Sequence, residues 1–482
     1  MGYLILPNLI FSASWFRQPY SAVLVAGYLV LTIRQLTKAR SDNDNAFNFK
    51  EIIILSAFAL TWTILSGVGG LVYQSSDFLY HNVKFYDLFR NSWPNYIPEI
   101  DRFSRYYYGY YLVPALASKL AGQLLPSVLF GWSALGYFIA VSWVYHLINR
   151  NMLFLFSFIW VRGIGHIIAF SLKKMSIAVA PFYMAWFRAI FEQSCWVPNQ
   201  LIATIIITCM VLNDNFDRSK TEDSFLPITL GFIFGIFPSI ILVLLFVPLF
   251  VNRYFVKGRL SELFTRSSLY SYWLPGVLVI PTLLYFLSSD STPIYGFLWK
   301  FDSNKTITFF YAIGFLIDWF LFYKLLHYTQ KKIVWIPAWY IHILFALLLF
   351  VSLFRIGINN DWFYRGQIPF FIIINIGIFK GLSTFIKQRF RNQQYGFYIP
   401  LFILIFSSSL QLIFSSHLLR DNALVKTLFP TYTTFTPFPD DRFPNIYQAL
   451  KYIHPTREAD AEQYLGKKGS FYEKHLARIP EH

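Results

Sequence analysis

Asp77 is the first residue whose type and position could support chemistry, because it follows an apolar run at 51–73 by only a few residues. If 77–90 is helical, Asp77, His81 and Lys84 share one face, since they are four and three residues apart. A carboxylate, an imidazole and an ammonium on one face could move a proton and hold an anion. The same pattern fits an amphipathic helix that lies on a membrane surface with solvated charges. Both interpretations are kept at this stage.

Further basic and polar side chains follow apolar runs elsewhere in the chain. A turn reads CWVPNQ at 195–200, and a loop reads RIGINNDWFYRGQIP at 355–369. Arginine can hold a phosphate through two parallel hydrogen bonds, and tryptophan can stack on a sugar. With the segment after Asp77, these stretches contribute the candidate binding residues Asn82, Asp87, Arg188, Trp196, Asn199, Gln200, Asn360, Asp361 and Arg365.

Each of these groups also has a structural interpretation. Arg188 and Glu192 are spaced as an i,i+4 ion pair at the end of a span. Trp196 suits an anchor at the membrane interface, and Pro198 suits the start of a helix. The 355–369 loop fits a solvated turn.

The composition indicates what kind of scaffold must position these groups. Of the 482 residues, 56% are hydrophobic and only 14% are charged, whereas a soluble domain is typically about 25% charged. This low charge and high apolar content exclude a soluble enzyme and a disordered chain. A disulfide scaffold is excluded because there are only two cysteines. The fold class that follows is an all-α polytopic membrane protein. In such a protein the net charge of +16 reflects basic cytoplasmic loops and anionic lipid, so nucleic acid is not an expected partner.

The hydropathy pattern predicts about 12 to 15 membrane spans, counting a short run at 3–16 that could span or lie at the interface. The 225–252 run is too long for one upright helix and contains Pro238, so it predicts two short helices or a kinked pair. The remaining apolar runs lie near 20–36, 51–73, 106–121, 124–146, 152–170, 177–195, 200–212, 271–287, 306–324, 335–354, 367–383 and 396–414.

The basic loops predict the orientation of these spans. Following the spans in order places all the clusters of Lys and Arg on one side, which the positive-inside rule assigns to the cytoplasm. The outer side then holds the segments 74–105, 196–199, 288–305 and 355–366, and the tail from 415 to 482. We expect a transmembrane domain at 1–414 and a small extracytoplasmic tail at 415–482, the latter with two amphipathic helical pieces.

A single carboxylate at the outer boundary suits one reaction in particular. Sugar transfer from a lipid-linked phosphate donor needs one general base, because the phosphate leaves without a proton donor. Glycoside hydrolysis differs, since its leaving alkoxide requires a second carboxylic acid. The chain has no P-loop, no G-x-G-x-x-G after a strand, no HExxH and no GxSxG. These absences disfavour an ATPase module, a Rossmann nucleotide-sugar domain, a metalloprotease and a serine hydrolase.

Several outer segments, taken in order, resemble the C superfamily of membrane glycosyltransferases, the GT-C fold. The matching pieces are DFLYHNVKFYDLFRNSWP, YYYGYYLVPALASKLAG, CWVPNQ, GINNDWFYRGQIP and GSFYEKHLARI. More narrowly they resemble a bacterial subgroup that depends on polyprenyl-phosphate sugars. Where that pattern has Gln-His and Met-Arg pairs, this chain has Asn199-Gln200 and Tyr364-Arg365.

The resemblance implies a GT-C-like bundle with short outer helices in the first large loop. It further implies that Asp77 is the general base of an inverting transfer, with Asp87 a second candidate, and that Arg365, Arg188, His81 and Lys84 bind the donor phosphate. The polar residues named above would surround the substrate. The acceptor would be a glycan, lipid or protein hydroxyl, reached from the periplasm or cell exterior of a bacterial inner membrane. No cofactor is required, although some members use Mg²⁺ or Mn²⁺.

Three rival functions are kept alongside this one. Arg162 and Asp318, which lie within apolar runs, would suit a transporter or flippase for lipid-linked oligosaccharides. A polysaccharide polymerase or ligase also acts on lipid-linked sugars, but that class places its main outer loop late in the chain. A non-catalytic scaffold would tolerate substitution of Asp77.

Overall fold

The chain is mostly helical. The computed structural model describes residues 1–39, 46–72, 74–75, 77–165, 187–290, 294–301, 305–357, 360–387, 401–409, 443–453 and 461–479. In the first half the helices are α1 Gly2–Trp15, α2 Tyr20–Ala39, α3 Phe49–Leu65, α4 Asp77–Arg90, α5 Gly109–Ala121, α6 Pro126–Leu147, α7 Met152–Trp160, α8 Ile190–Trp196 and α9 Pro198–Leu212. In the second half they are α10 Phe225–Leu230, α11 Ile236–Val251, α12 Leu274–Leu287, α13 Lys305–Ile333, α14 Ala338–Ser352, α15 Asp361–Lys387 and α16 Ile446–Ile453.

Five helical stretches in the described part are long and apolar enough to cross a membrane, at Tyr20–Thr37, Pro126–Leu147, Ile236–Val256, Arg266–Leu287 and Asp361–Phe385. Helices satisfy their own backbone hydrogen bonds, which is why an apolar chain of this kind folds into them. The all-α membrane class predicted from composition is therefore confirmed in this form. The larger number of 12 to 15 spans stays a prediction. The predicted spans at 177–195 and 396–414 lie largely outside the described residues.

The structure confirms one predicted helix break and corrects one predicted span. The 225–252 run breaks before Pro238, because α10 ends at Leu230 and α11 begins at Ile236, which confirms two helices in place of one. The 152–170 run was predicted as one span, but α7 ends at Trp160 and residues 161–163 are not helical. This correction leaves Arg162 in irregular chain just past a helix end.

The segments predicted to share the outer side do meet at one end of the bundle. Two short antiparallel ladders lie there, β1 Tyr96–Ile97 with β2 Arg102–Phe103, and β3 Tyr295–Phe297 with β4 Phe354–Ile356. At the opposite end, basic side chains pair with acidic residues, for example Lys380 with Asp217 at 2.8 Å and Arg253 with Glu222 at 3.1 Å. The separation of these two sets of loops agrees with the predicted alternation of spans.

The C-terminal segment packs on the same end as Asp77. Helix α16 buries Ile446, Ala449 and Leu450 against Val83 of α4. The second amphipathic piece was predicted to be helical. In its described part this is confirmed for a short helix at Tyr472–Leu476, whereas 463–470 consists of turns, isolated bridges and irregular chain. Gly469 has a left-handed backbone at φ +71°, a conformation that breaks a helix.

Candidate functional site

The loop that leads into α4 is tied down before Asp77 is reached. Gln74 Nε2 donates to the carbonyl of Gly67 at 2.8 Å, and Asn82 Nδ2 donates to Gln74 Oε1 at 3.1 Å. Ser75 Oγ donates to the carbonyl of Cys195 at 2.6 Å. These bonds connect the end of one apolar run to α4 and to the α8–α9 turn. Asn82 was predicted as a substrate ligand, but its bond to Gln74 holds the loop that precedes Asp77 in place.

Asp77 is the first residue of α4, and its side chain is half-buried. Burial raises the pKa of its carboxyl, while Arg365 and Lys84 lower it and Asp361 raises it further. The charged groups around Asp77 thus come from two segments that are far apart in sequence. A carboxylate with a raised pKa is a stronger base toward a hydroxyl than an ordinary aspartate.

Lys84 lies two turns along α4 and is almost completely buried. Its ammonium is 3.6 Å from the ring centroid of Tyr106 and 5.0 Å from that of Tyr464. Within the described residues it makes no hydrogen bond or ion pair. Burial and the neighbouring Arg365 lower the pKa of Lys84 well below its ordinary value, while Asp77 acts in the opposite direction. An anion bound beside this amine would favour its protonated form, because an opposite charge raises the pKa of a buried lysine.

Arg365 enters the site from the first turns of α15. Its guanidinium forms an ion pair with Asp361, one turn earlier, at 3.1 Å, and donates a hydrogen bond to the phenol of Tyr107. Asn360 precedes the helix with φ +53° and accepts a weak 3.5 Å bond from the backbone N–H of Phe363. Asn360 therefore caps the start of the helix, while Asp361 and Tyr107 hold the guanidinium of Arg365 within electrostatic reach of Asp77.

Tyrosines form the surroundings of the two cations. The rings of Tyr106 and Tyr107 are 3.8 Å apart, and Tyr464 lies 5.3 Å from Tyr106. The first two come from the YYYGYY stretch, whose value as a wall of the site was missed at the sequence level. Tyr464 comes from the tail, for which the sequence offered no signal.

The amides at the α8–α9 turn support this tyrosine wall. Asn199 Nδ2 donates to Tyr106 at 3.4 Å, and Gln200 Nε2 donates to Tyr107 at 3.3 Å. In the described part of the chain, Asn199 Oδ1 and Gln200 Oε1 are buried without a hydrogen-bond donor. Asn199 and Gln200 thus reach the site through the tyrosines rather than by facing Asp77.

His81 and Trp196 join α4 to the α8–α9 turn. The Nε2 of His81 lies 2.8 Å from the carbonyl of Trp196, and its Nδ1 bonds to the phenol of Tyr111. Since a carbonyl only accepts, Nε2 carries the proton and Nδ1 accepts from Tyr111. Burial and Lys84 lower the pKa of His81 to about 3, so it is neutral. It is engaged in these bonds and holds no charge for a phosphate.

Asp87 lies near the end of α4, where its carboxylate is engaged by amide donors. Its carboxylate accepts from Asn91 Nδ2 at 2.6 Å and from Asn95 Nδ2 at 2.8 Å. Burial raises its pKa to about 6, and the bonds from Asn91, Asn95 and the backbone of Ile446 oppose that rise. Three donors on one carboxylate leave Asp87 as an anchor for the tail helix.

Arg188 belongs to a second buried cluster beside the site. It pairs with Glu192 and lies 4.9 Å from the ring of Tyr364. Arg162 also reaches Glu192, at 3.2 Å. Asp318, which was considered as a partner for Arg162, accepts from the backbone N–H groups of 164 and 165. Glu192 therefore pairs with both arginines, and Arg162 also acts electrostatically on Asp318.

The residues considered for a divalent metal do not fit one. The described residues contain no group of three or more His, Cys, Asp or Glu side chains that could hold a metal ion. Asp87 is occupied by two asparagines and His81 by Tyr111 and a carbonyl. Neither side chain can turn toward Asp77 without losing these bonds, so these residues do not fit a metal ion beside Asp77.

The comparisons with known proteins return nothing. No protein-family model, no curated protein and no solved structure matches this chain.

Proposed function

We propose that the protein is an inverting glycosyltransferase that moves a sugar from a polyprenyl-phosphate donor to an acceptor hydroxyl on the extracytoplasmic side of a bacterial inner membrane. The observation that carries the proposal is the joint position of Asp77, Lys84 and Arg365. A half-buried carboxylate lies among two cations, at an end of a membrane bundle, within a wall of tyrosines.

Lys84 and Arg365 would bind the donor phosphate. Lys84 has no anionic partner within the described residues, and Arg365 shares its charge with Asp361. A phosphate would complete the set, because it offers both cations an acceptor in a place that excludes most water. Arg188 is a weaker phosphate ligand, since Glu192 already pairs with it.

Asp77 would act as the general base. It removes the proton from the acceptor hydroxyl, whose oxygen forms a bond to the anomeric carbon of the donor sugar. The bond from that carbon to the phosphate oxygen breaks, and the phosphate leaves with the electron pair. Lys84 and Arg365 stabilise the charge that develops on the phosphate. Attack from the face opposite the leaving group inverts the anomeric centre.

The decisive experiment replaces Asp77 with Asn in the purified protein and measures transfer from a polyprenyl-phosphate sugar. General-base catalysis typically contributes about 10²- to 10⁴-fold, so we expect kcat to fall at least about 100-fold. The matched control is Asp101→Asn, because Asp101 is an exposed carboxylate on the β1–β2 hairpin that pairs with Lys468. Full activity in Asp77→Asn with normal folding would show that Asp77 is not the base.

The same variant separates the rival functions. A flippase would move a fluorescent lipid-linked sugar across vesicles without forming a glycosidic bond, and Asp77→Asn would not abolish a chemical step. A scaffold would show neither activity. A polymerase or ligase would require a second lipid-linked glycan as the acceptor, which a choice of acceptors tests directly.

A further inference from the structure

The C-terminal segment 461–479 is built into the outer end as an added strand. Residues 464–467 run between 103–105 and 288–290, and four backbone hydrogen bonds of 2.6 to 3.0 Å join them. Bonds on both sides hold this backbone as firmly as a strand inside a sheet. The segment is thus part of the wall that encloses Asp77.

A buried arginine locks the segment in place. The Arg105 guanidinium donates to the carbonyl of Tyr285 and to Ser288 Oγ, and it lies 4.7 Å from the ring of Tyr472. A side chain at Gly466 would collide with this guanidinium. The tail can therefore approach closely only because glycine occupies that position.

The side chain that this segment delivers to the site is Tyr464. Its ring lies 5.3 Å from that of Tyr106, and the ammonium of Lys84 is 5.0 Å from its centroid. The charged groups that act on its phenol are Arg365, Asp361 and Asp77. All the groups of the proposed reaction are therefore neighbours of Tyr464, a residue in the second half of the predicted tail 415–482.

We infer that Tyr464 is a positioning residue of this site. Together with Tyr106, its ring covers the ammonium of Lys84, and it presents an aromatic face to the sugar ring of the donor. The sugar as ligand rests on the proposed function. The covering of Lys84 by the docked tail does not depend on it. The site is therefore incomplete in the transmembrane domain alone, because Tyr464 belongs to the C-terminal tail.

The test uses the full purified chain and an amine-reactive reagent, with modification of Lys84 measured by peptide mass spectrometry. The same amine is compared in every variant, so a change in its labelling rate reports a change in its access to the reagent. We expect Tyr464→Ala to raise the labelling rate several-fold and Tyr464→Phe to leave it unchanged. Polyprenyl monophosphate should protect Lys84, whereas the neutral polyprenol should not. The control is Phe471→Ala, an exposed aromatic of the same segment.

The kinetic readout tests the contact with the sugar. We expect Tyr464→Ala to raise the KM for the sugar donor about tenfold with a smaller effect on kcat. Tyr464→Phe should have a KM close to that of the wild type, because the contact with the sugar is made by the face of the ring. Tyr464→Leu replaces the alanine variant if the latter does not fold. Unchanged Lys84 labelling and unchanged KM in the folded variant would overturn the inference. Altered labelling beside a fully active Asp77→Asn would refute the proposed reaction and leave the tail contact in place.

Discussion

Replacement of Arg365 by Gln is the sharpest test of the two-cation site. The guanidinium is held by Asp361 at 3.1 Å and by Tyr107, so its direction is set before any substrate binds. Charge-assisted hydrogen bonds contribute about 1.5–3 kcal/mol each. Loss of one such interaction with the phosphate predicts a decrease in kcat/KM of roughly 10- to 150-fold, since 1.36 kcal/mol corresponds to tenfold.

The same substitution makes a second prediction with a defined sign. Arg365 is the main influence that lowers the pKa of Asp77, against the burial that raises it. Its removal therefore raises the pKa of Asp77. Because the base must be deprotonated to act, the acidic limb of the kcat/KM profile should move to higher pH in Arg365→Gln. Arg365→Lys keeps the charge, so the limb should shift less, although the paired hydrogen bonds are lost.

The assay is transfer from a polyprenyl-phosphate sugar at a series of pH values, with folding checked by thermal unfolding. Arg102→Gln is the matched control, because Arg102 is a partly exposed arginine at the same end of the bundle and pairs with Asp290. The reasoning is refuted if Arg365→Gln stays within about twofold of the wild type. It is equally refuted if Arg102→Gln produces the same loss and the same shift of the acidic limb.

Two further predictions concern Asp87 and His81, which the proposed reaction does not use. Asp87→Ala removes the acceptor of Asn91 and Asn95, so we expect the unsatisfied donors to lower the free energy of unfolding by about 2 kcal/mol. The kcat of the folded protein should be retained. A lower midpoint in thermal unfolding checks the stability, and a selective loss of kcat would contradict the prediction. The pKa of His81 is lowered from 6.5 to about 3. The unfolded chain therefore binds more protons in that window, and stability should fall as pH falls below 6.5. The decrease should be smaller in His81→Gln, and equal pH dependence in the two proteins would argue against a neutral buried imidazole.

Hydropathy and charge were enough to predict which segments share an end of the bundle. Membrane helices satisfy their backbone hydrogen bonds within each helix, so each apolar run in the sequence predicts a span independently of the others. The loops at 74–105, 288–305 and 355–366 follow from that alternation alone, and the β-ladders and ion pairs at one end agree with it. The irregular chain after Trp160 was not predictable, because residues 161–170 remain apolar enough to continue a helix.

The candidate residues were separable only by their contacts. Asp77 and Asp87 are both aspartates of α4, yet one faces cations and the other is surrounded by amide donors. Asn82, Asn199 and Gln200 act through the loops and tyrosines that they hold. Spacing along a helix predicts which residues share a face, but it does not reveal what packs against that face.

The sequence by itself determined the membrane class, most of the apolar helical segments, the grouping of loops at one end of the bundle and the candidacy of Asp77, because each depends on local composition and on the order of spans. Only the tertiary structure decided that Lys84 meets Arg365, that Asp87 anchors the tail and that Tyr464 joins the site. These contacts join segments from both ends of the chain, and they depend on how side chains pack, which no local pattern records.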